Sequence, residues 1–311
     1  MKATRALLST LFLAPLPSAF ASDGLTIIPS VAFQMKTLSF DQTYSGFDEN
    51  SAEFSTTLPV LNLSVTAVMQ KFFVSAKYES SLADVSSATN ETDRSGVDQP
   101  NLIAHEASDV DVERKDWSLT FGYNVWDSLN IFVGYLDGET TLTPEPFCGT
   151  PLSDPTCVES NRAFFQFFIG DAGLADNQAV YEQLYEENGF FGGVSYGLSL
   201  EGYGTLTMSA AYASMDGQYR DNANDPNEGF DGTFVPFNFE GDSTGFSLGL
   251  TWTGALGENT AYFLDLRRQS YSMSAVDSSS FVVPGRENLR LRTDEEMTGF
   301  TAGIQVYFDI L

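Results

Sequence analysis

The chain has 311 residues, 42% hydrophobic and 14% aromatic, with 15 Lys and Arg against 42 Asp and Glu and a formal net charge of −27. So large an acidic excess excludes a nucleic-acid partner, because phosphate binding needs a basic face. Beyond the N-terminal stretch no uninterrupted apolar run reaches the ~18 residues that a membrane helix needs. That leaves a soluble exported protein or a barrel, the other backbone able to satisfy its own hydrogen bonds in lipid.

Residues 1–21 read as a cleavable signal peptide. Lys2 and Arg5 supply the positive start, "ALLSTLFLAPLP" the short apolar core, and Ala19-Phe20-Ala21 the cleavage site. A retained anchor is disfavoured, because the run is short and Pro15 and Pro17 break it. The mature domain is then 22–311, and the leader removes two cations and no acids.

Ten period-two segments follow, near 26–40, 54–67, 71–83, 113–126, 129–142, 189–200, 203–216, 243–254, 260–273 and 297–311. In the first, Val31, Phe33 and Met35 share a face. In the third, "KFFVSAKYE" sets Phe72, Val74, Ala76 and Tyr78 against Phe73, Ser75, Lys77 and Glu79. The fourth sets Trp117, Leu119, Phe121, Tyr123 and Val125 against Asp116, Ser118, Thr120, Gly122 and Asn124. The eighth and ninth place Phe246, Leu248, Leu250 and Trp252, then Tyr262, Leu264 and Leu266, on single faces. The tenth, "MTGFTAGIQVYFDIL", carries Phe300, Ala302, Ile304, Val306, Phe308 and Ile310 on one side.

In each segment the second face is mostly small or polar, rich in Gly and Ser. A soluble sandwich also alternates, but its solvent face usually carries Lys, Glu and Thr. Small polar residues suit the crowded interior of a narrow barrel. The connections alternate in length as well. Short turns lie near 68–70, 127–128, 201–202 and 255–259, and long loops near 41–53, 84–112, 143–188, 217–242 and 274–296. Transmembrane barrels sort their connections this way, with short periplasmic turns and long extracellular loops. The expected fold is all-β: an antiparallel, up-and-down transmembrane β-barrel of about ten strands, its last strand closing on the first. Trp117, Tyr123, Trp126, Trp252 and Tyr262 then form interfacial girdles.

Leader, alternating strands and an aromatic-containing last strand together resemble the bacterial outer-membrane β-barrel proteins. The resemblance covers the whole chain and implies residence in the outer membrane of a Gram-negative bacterium, among lipid and lipopolysaccharide. In that class the last strand usually ends in Phe, whereas here it ends in Leu311. Ten strands are similar in number to the omptin proteases and to some neisserial-type adhesins, and the motifs of neither are present.

Candidate sites fall in three places. Inward parity assigns Lys36, Lys77, Glu79, Asp265, Arg267 and Asp309 to the lumen, with Gln34, Asp116, Asn124, Gln269 and Gln305 beside them. Mixed charges there read either as a selective, water-filled path or as a neutralised network that fills and seals the barrel. The third long loop holds Cys148 and Cys157, expected to pair as a disulfide in an exported protein, and the apolar cluster Phe164, Phe165, Phe167 and Phe168. A short helix capped by Asp176 and ended by Gly189 is expected after it. Phe234 and Phe237 of the next loop extend the aromatic cluster, as a ligand-capturing mouth or a loop core. In that same loop Asp225, Asn227 and Asp231 are spaced to ligate Ca²⁺ or another divalent cation, though the full EF-hand pattern is missing.

Arg268 shares the outward parity of Leu266 and is expected near the outer headgroups. His105 is the only histidine, and nothing beside it completes a catalytic triad, so an enzyme is not expected. No cofactor is implied. The functional expectation is a narrow passive pore or small-ligand uptake channel with an acidic, aromatic-containing mouth. Its alternatives are a sealed surface-binding or structural barrel of adhesin-like kind and, after that, a membrane-embedded hydrolase.

Overall fold

A computed structural model describes residues 24–45, 50–83, 85–87, 110–126, 128–144, 180–224, 237–277 and 290–310. The strands are β1 (Leu25–Ser45), β2 (Asn50–Met69), β3 (Phe72–Ser81), β4 (Val85–Ser87), β5 (Val110–Asn124) and β6 (Leu129–Pro144). They continue as β7 (Val180–Leu200), β8 (Gly204–Asn224), β9 (Phe237–Ala255), β10 (Thr260–Asp277), β11 (Arg290–Val306) and β12 (Phe308–Ile310). β4 carries β3 onward along β5, and β12 continues β11 along β1, so the twelve strands make ten staves. Every neighbouring pair is antiparallel, and β11 pairs with β1 from Ser30↔Gln305 to Ser45↔Arg290. That pairing closes the barrel, so β11 has a partner on both sides and is not an edge.

The short turns sit where the sequence places them. Gln70 (φ 54°) turns β2 into β3, and Gly202 (φ 78°) sits in the tight turn between β7 and β8. At the other end the strands outrun the predicted segments. β7 begins at Val180 and not 189, β8 continues to Asn224, β9 starts at Phe237, β10 ends at Asp277, and β11 starts at Arg290. The helix expected before Gly189 is therefore β7: Tyr185 and Glu187 point in, Glu186 and Asn188 alternate with them, and Gly189 lies mid-strand against Met215. Phe237 likewise opens β9, paired with Asp221, and does not belong to a loop.

These extensions escape a hydropathy reading because the apolar face changes sides. On every stave the outward residue turns from apolar or aromatic to polar within one step of the alternation. The steps are Met35 to Thr37, Pro59 to Thr57, Tyr78 to Ser80, Trp117 to Lys115, Tyr135 to Asp137, Phe190 to Asn188, Tyr212 to Ser214, Phe246 to Thr244, Leu266 to Arg268 and Phe300 to Thr298. Below this boundary, toward the short turns, the outward face is a belt of exposed Val, Leu, Ile, Phe and Met. On β1 it runs from Leu25 to Met35, and on β11 and β12 from Phe300 to Ile310, about the 9–11 residues a tilted strand needs to cross a bilayer.

The inward face does the reverse. Within the belt it carries Asn62, Thr66, Ser75, Ser118, Thr120, Asn130, Thr207, Ser247 and Thr301, all buried. Above it the buried residues are Leu38, Phe40, Leu58, Val112, Leu142, Tyr219, Phe239, Met273 and Leu291, part of one contiguous core. Where lipid touches it the barrel is greasy outside, and inside small polar groups alternate with rings such as Phe73, Phe132 and Phe191; beyond, the outside is polar and the inside mostly apolar. Glycines let large rings lie flat on the inner wall: Phe73 covers Gly122, and Tyr271 covers Gly245.

The boundary predicts a position-dependent response to charge. Ile304→Arg, in the middle of the belt, is expected to destabilise the barrel by ~2–4 kcal/mol, and Thr298→Arg, just above it, by ~0–1 kcal/mol. Urea unfolding in lipid vesicles, followed by tryptophan fluorescence, measures both. Equal costs at the two positions would remove the belt.

Candidate functional site

Buried ionisable side chains gather inside the barrel at the height where the outer face changes character. The same alternation that puts Met35 and Tyr78 on lipid puts Lys36 and Glu79 inside. Lys36 Nζ lies 2.8 Å from Glu79 Oε2 and 3.0 Å from Asp116 Oδ2. Lys77 Nζ lies 2.5 Å from Glu79 Oε1. Arg114 holds Asp116 at 2.9 Å through Nη2 and reaches Glu295 Oε1 at 2.5 Å and Thr140 Oγ1 at 2.8 Å through Nη1. Nearby, Arg267 Nη2 meets Asp265 Oδ1 at 3.0 Å, and Thr251 Oγ1 donates to that oxygen at 2.6 Å.

Every charge in this set has an opposite partner, which a buried ion requires. Several of the bonds cross the lumen and do not run along the wall. Lys36 on β1 passes over β2 and β3 to reach β5, and Arg114 on β5 reaches β11 four staves away. Above them Glu187 accepts hydrogen bonds from the hydroxyls of Tyr185, at 2.5 Å, and Ser243. Higher still, the Phe40 and Tyr185 rings meet edge to face, centroids 5.2 Å apart at 89°. β1 and β7 stand five staves apart in a ring of ten, the greatest separation there is, so opposite walls touch at this level.

Five of the six expected lumen residues are brought together here: Lys36, Lys77 and Glu79 in one set, Asp265 and Arg267 in a pair. Asp309 is not among them. It keeps inward parity but lies exposed at the short-turn rim, where Thr26 Oγ1 donates to it at 2.7 Å. Arg114, Glu187, Glu295, Phe40 and Tyr185 are the additions. Arg114 shares the parity of Asp116 within the predicted fourth segment, so period two alone could have found it. Glu187 and Glu295 lie in stretches that hydropathy assigns to the long loops.

On the outer surface Arg268 stands just above the belt and pairs with Glu296 at 2.9 Å. Phe239 is a buried wall residue. The leader, His105, Cys148, Cys157, Phe164, Phe165, Phe167, Phe168, Asp176, Phe234, Asp225, Asn227 and Asp231 lie outside the described residues.

No protein-family model and no curated protein matches the sequence. Among solved structures the chain is similar to the outer membrane protease OmpT from Escherichia coli, at 12% identity over 93% of this chain and 98% of that one, with a TM-score of 0.57. It is similar more distantly to the translocator domain of the autotransporter NalP from Neisseria meningitidis, at 10% identity over 93% and 90% of the two chains and a TM-score of 0.39. The toluene transporter TodX of P. putida follows at 12% identity, 94% and 92% coverage and a TM-score of 0.35. At these identities the likeness is one of fold, and the fold is that of the bacterial outer-membrane β-barrels.

The network sets a stability prediction. Arg114→Met leaves the Glu295 carboxylate buried without its partner and is expected to cost ~3–5 kcal/mol. Adding Glu295→Leu removes the stranded charge, leaves Asp116 with Lys36, and is expected to restore most of that loss. Unfolding midpoints in vesicles compare the three proteins. A double variant no more stable than the single one contradicts the pairing.

Proposed function

We propose that the chain is an outer-membrane barrel of a Gram-negative bacterium, sealed across its lumen, which works by binding at its outer face and not as a standing pore. The shared fold and the apolar belt support the membrane. The larger gaps between described strands lie at the end away from the tight turns, which supports an outward orientation for that end.

The single observation behind the sealed reading is the contact between Phe40 and Tyr185. Each is 1% exposed, and each comes from the opposite wall. A water-filled path needs charged side chains free to exchange with a passing solute. Here Lys36, Lys77, Arg114 and Arg267 are instead spent on fixed carboxylates. Ten staves also stand close to the eight-stranded size at which a barrel is filled by its own side chains.

Arg268 and Glu296 form an exposed pair at headgroup height on β10 and β11. In this reading Arg268 exchanges Glu296 for lipid or lipopolysaccharide phosphate, since an exposed ion pair holds its partners weakly.

Planar-bilayer recording separates the two classes. The purified wild-type barrel is expected to insert without resolvable conductance steps. Stable ohmic steps from wild type would falsify the sealed reading.

A further inference from the structure

High on the outer wall, where β1, β10 and β11 lie side by side, there is an open groove of about 530 Å³. Its lining includes Thr43, Ser274, Val276, Arg290, Arg292 and Asp294. Two features set it apart from the wall around it. Above Arg268 the outward residues of β10 are Ser270, Ser272 and Ser274, yet Val276 follows at 54% exposure, an apolar surface on a face that is otherwise polar among the described residues. The groove also gathers two cations in a chain where acids outnumber cations 42 to 15.

The two arginines differ. Arg292 is held by Asp294, with Nε 2.9 Å from Oδ2. Arg290, exposed at the start of β11, makes no ion pair among the described residues. An exposed guanidinium presents a planar fork of donors suited to a carboxylate or phosphate.

Height decides between lipid and solute. Val276 is ten residues beyond Leu266, the last belt residue of β10, and Arg292 eight beyond Phe300 on β11. At ~3.4 Å per residue and a tilt of ~40°, the groove stands roughly 20–25 Å above the hydrocarbon edge. Headgroups occupy only about 5–8 Å on each side of the core. The groove therefore opens beyond the headgroups, and its volume falls within the range of small-molecule sites.

We propose that this groove binds a small organic anion from the external medium, its carboxylate or phosphate on Arg290, its compact apolar body against Val276, and Thr43 and Ser274 within hydrogen-bonding reach. The site rests on the reading of the protein as one that works by binding at its outer face, and it gives that reading a ligand class.

Phenylphosphate is the probe, titrated into the folded, detergent-solubilised full chain by isothermal calorimetry, with benzyl alcohol as the uncharged control. Saturable binding of phenylphosphate alone is expected, weakened by about tenfold or more in Arg290→Ala, as loss of a charge-assisted contact implies. Val276→Glu, which puts a carboxylate against the ligand, is expected to weaken it similarly. Heat-modifiable gel mobility checks that both variants are folded. Phosphatidylglycerol added to the micelle is expected to leave the titration unchanged. The proposal is overturned by absence of saturable binding, by equal binding of benzyl alcohol, by indifference to both substitutions, or by competition from the lipid, which would assign the groove to a headgroup. Conductance of the wild-type barrel with binding intact overturns the sealed lumen and leaves this site standing.

Discussion

A strand that passes from hydrocarbon into water must change the side on which it carries its apolar residues. Inside lipid nothing is gained by burying Leu away from the tails, while each backbone amide and carbonyl must find a partner in the sheet. Outside lipid the ordinary hydrophobic effect returns, and apolar residues are driven inward. The barrel obeys both conditions on the same staves. Closure of β11 on β1 gives both end strands a ladder partner, and one step of alternation, such as Leu266 to Arg268, exchanges the faces. The half beyond the belt is then a barrel of the water-soluble kind, with a core around Leu38, Leu58, Tyr219 and Met273. The two halves need opposite interiors from one continuous wall.

The charged network sits where those interiors meet. Below it hydroxyls and amides share the lumen with rings such as Phe73, Phe132 and Phe191, and above it rings and aliphatic chains predominate. A guanidinium such as that of Arg114 can serve both sides, because its fork reaches Asp116 at the polar side and Glu295 within the upper core. This costs something. Glu295 Oε2, Arg267 Nη1, Asn62 Oδ1 and Thr207 Oγ1 are buried without a hydrogen-bond partner among the described residues. Each such atom is worth ~1–3 kcal/mol of destabilisation relative to a satisfied one. Transverse contacts from β1 to β5 and from β5 to β11 hold the walls together in return, and they are what a barrel of this girth can form and a sixteen-stranded one cannot.

How much of this was legible follows from the same inversion. Within the belt, period-two hydropathy identifies the staves, their inward faces and the closing pair, and it places Lys36, Lys77, Glu79, Asp265 and Arg267 inside. Above the belt the apolar residues keep period two but on the other parity. A window crossing the boundary then averages the two patterns into none. "YEQLYEENG" illustrates this: Tyr185 is an inward core residue, but with acids on both sides it resembles a helix or loop, and Glu187 and the Phe40 contact are lost with it. Glu295 escapes for the same reason, since "RLRTDEEM" has strand alternation only if Leu291 and Met297 are taken as inward. Asp309 fails differently. Parity gives a side of the wall, not a height, and at the last turn of the barrel an inward residue faces the short-turn rim.

The inversion also limits where binding can occur. The charged side chains of the lumen are engaged by their ion pairs and its upper apolar residues by the core, so recognition there would require separating walls that touch at Phe40 and Tyr185. The outer wall above the belt has the opposite property. It is polar, it stands in water, and its cross-strand neighbours include acids facing acids, Asp41 opposite Asp294 and Asp216 opposite Asp242. Like charges so placed oppose sheet stability. Arginines on this surface are pulled toward those acids: Arg292 is taken by Asp294 and Arg220 by Glu186. Arg290 differs by position. It begins β11 beyond the last acid of the row and pairs across the sheet with Ser45 and Val276, neither of which can neutralise it. In so acidic a protein, a cation that no carboxylate engages among the described residues is the group best placed to meet an anion from outside.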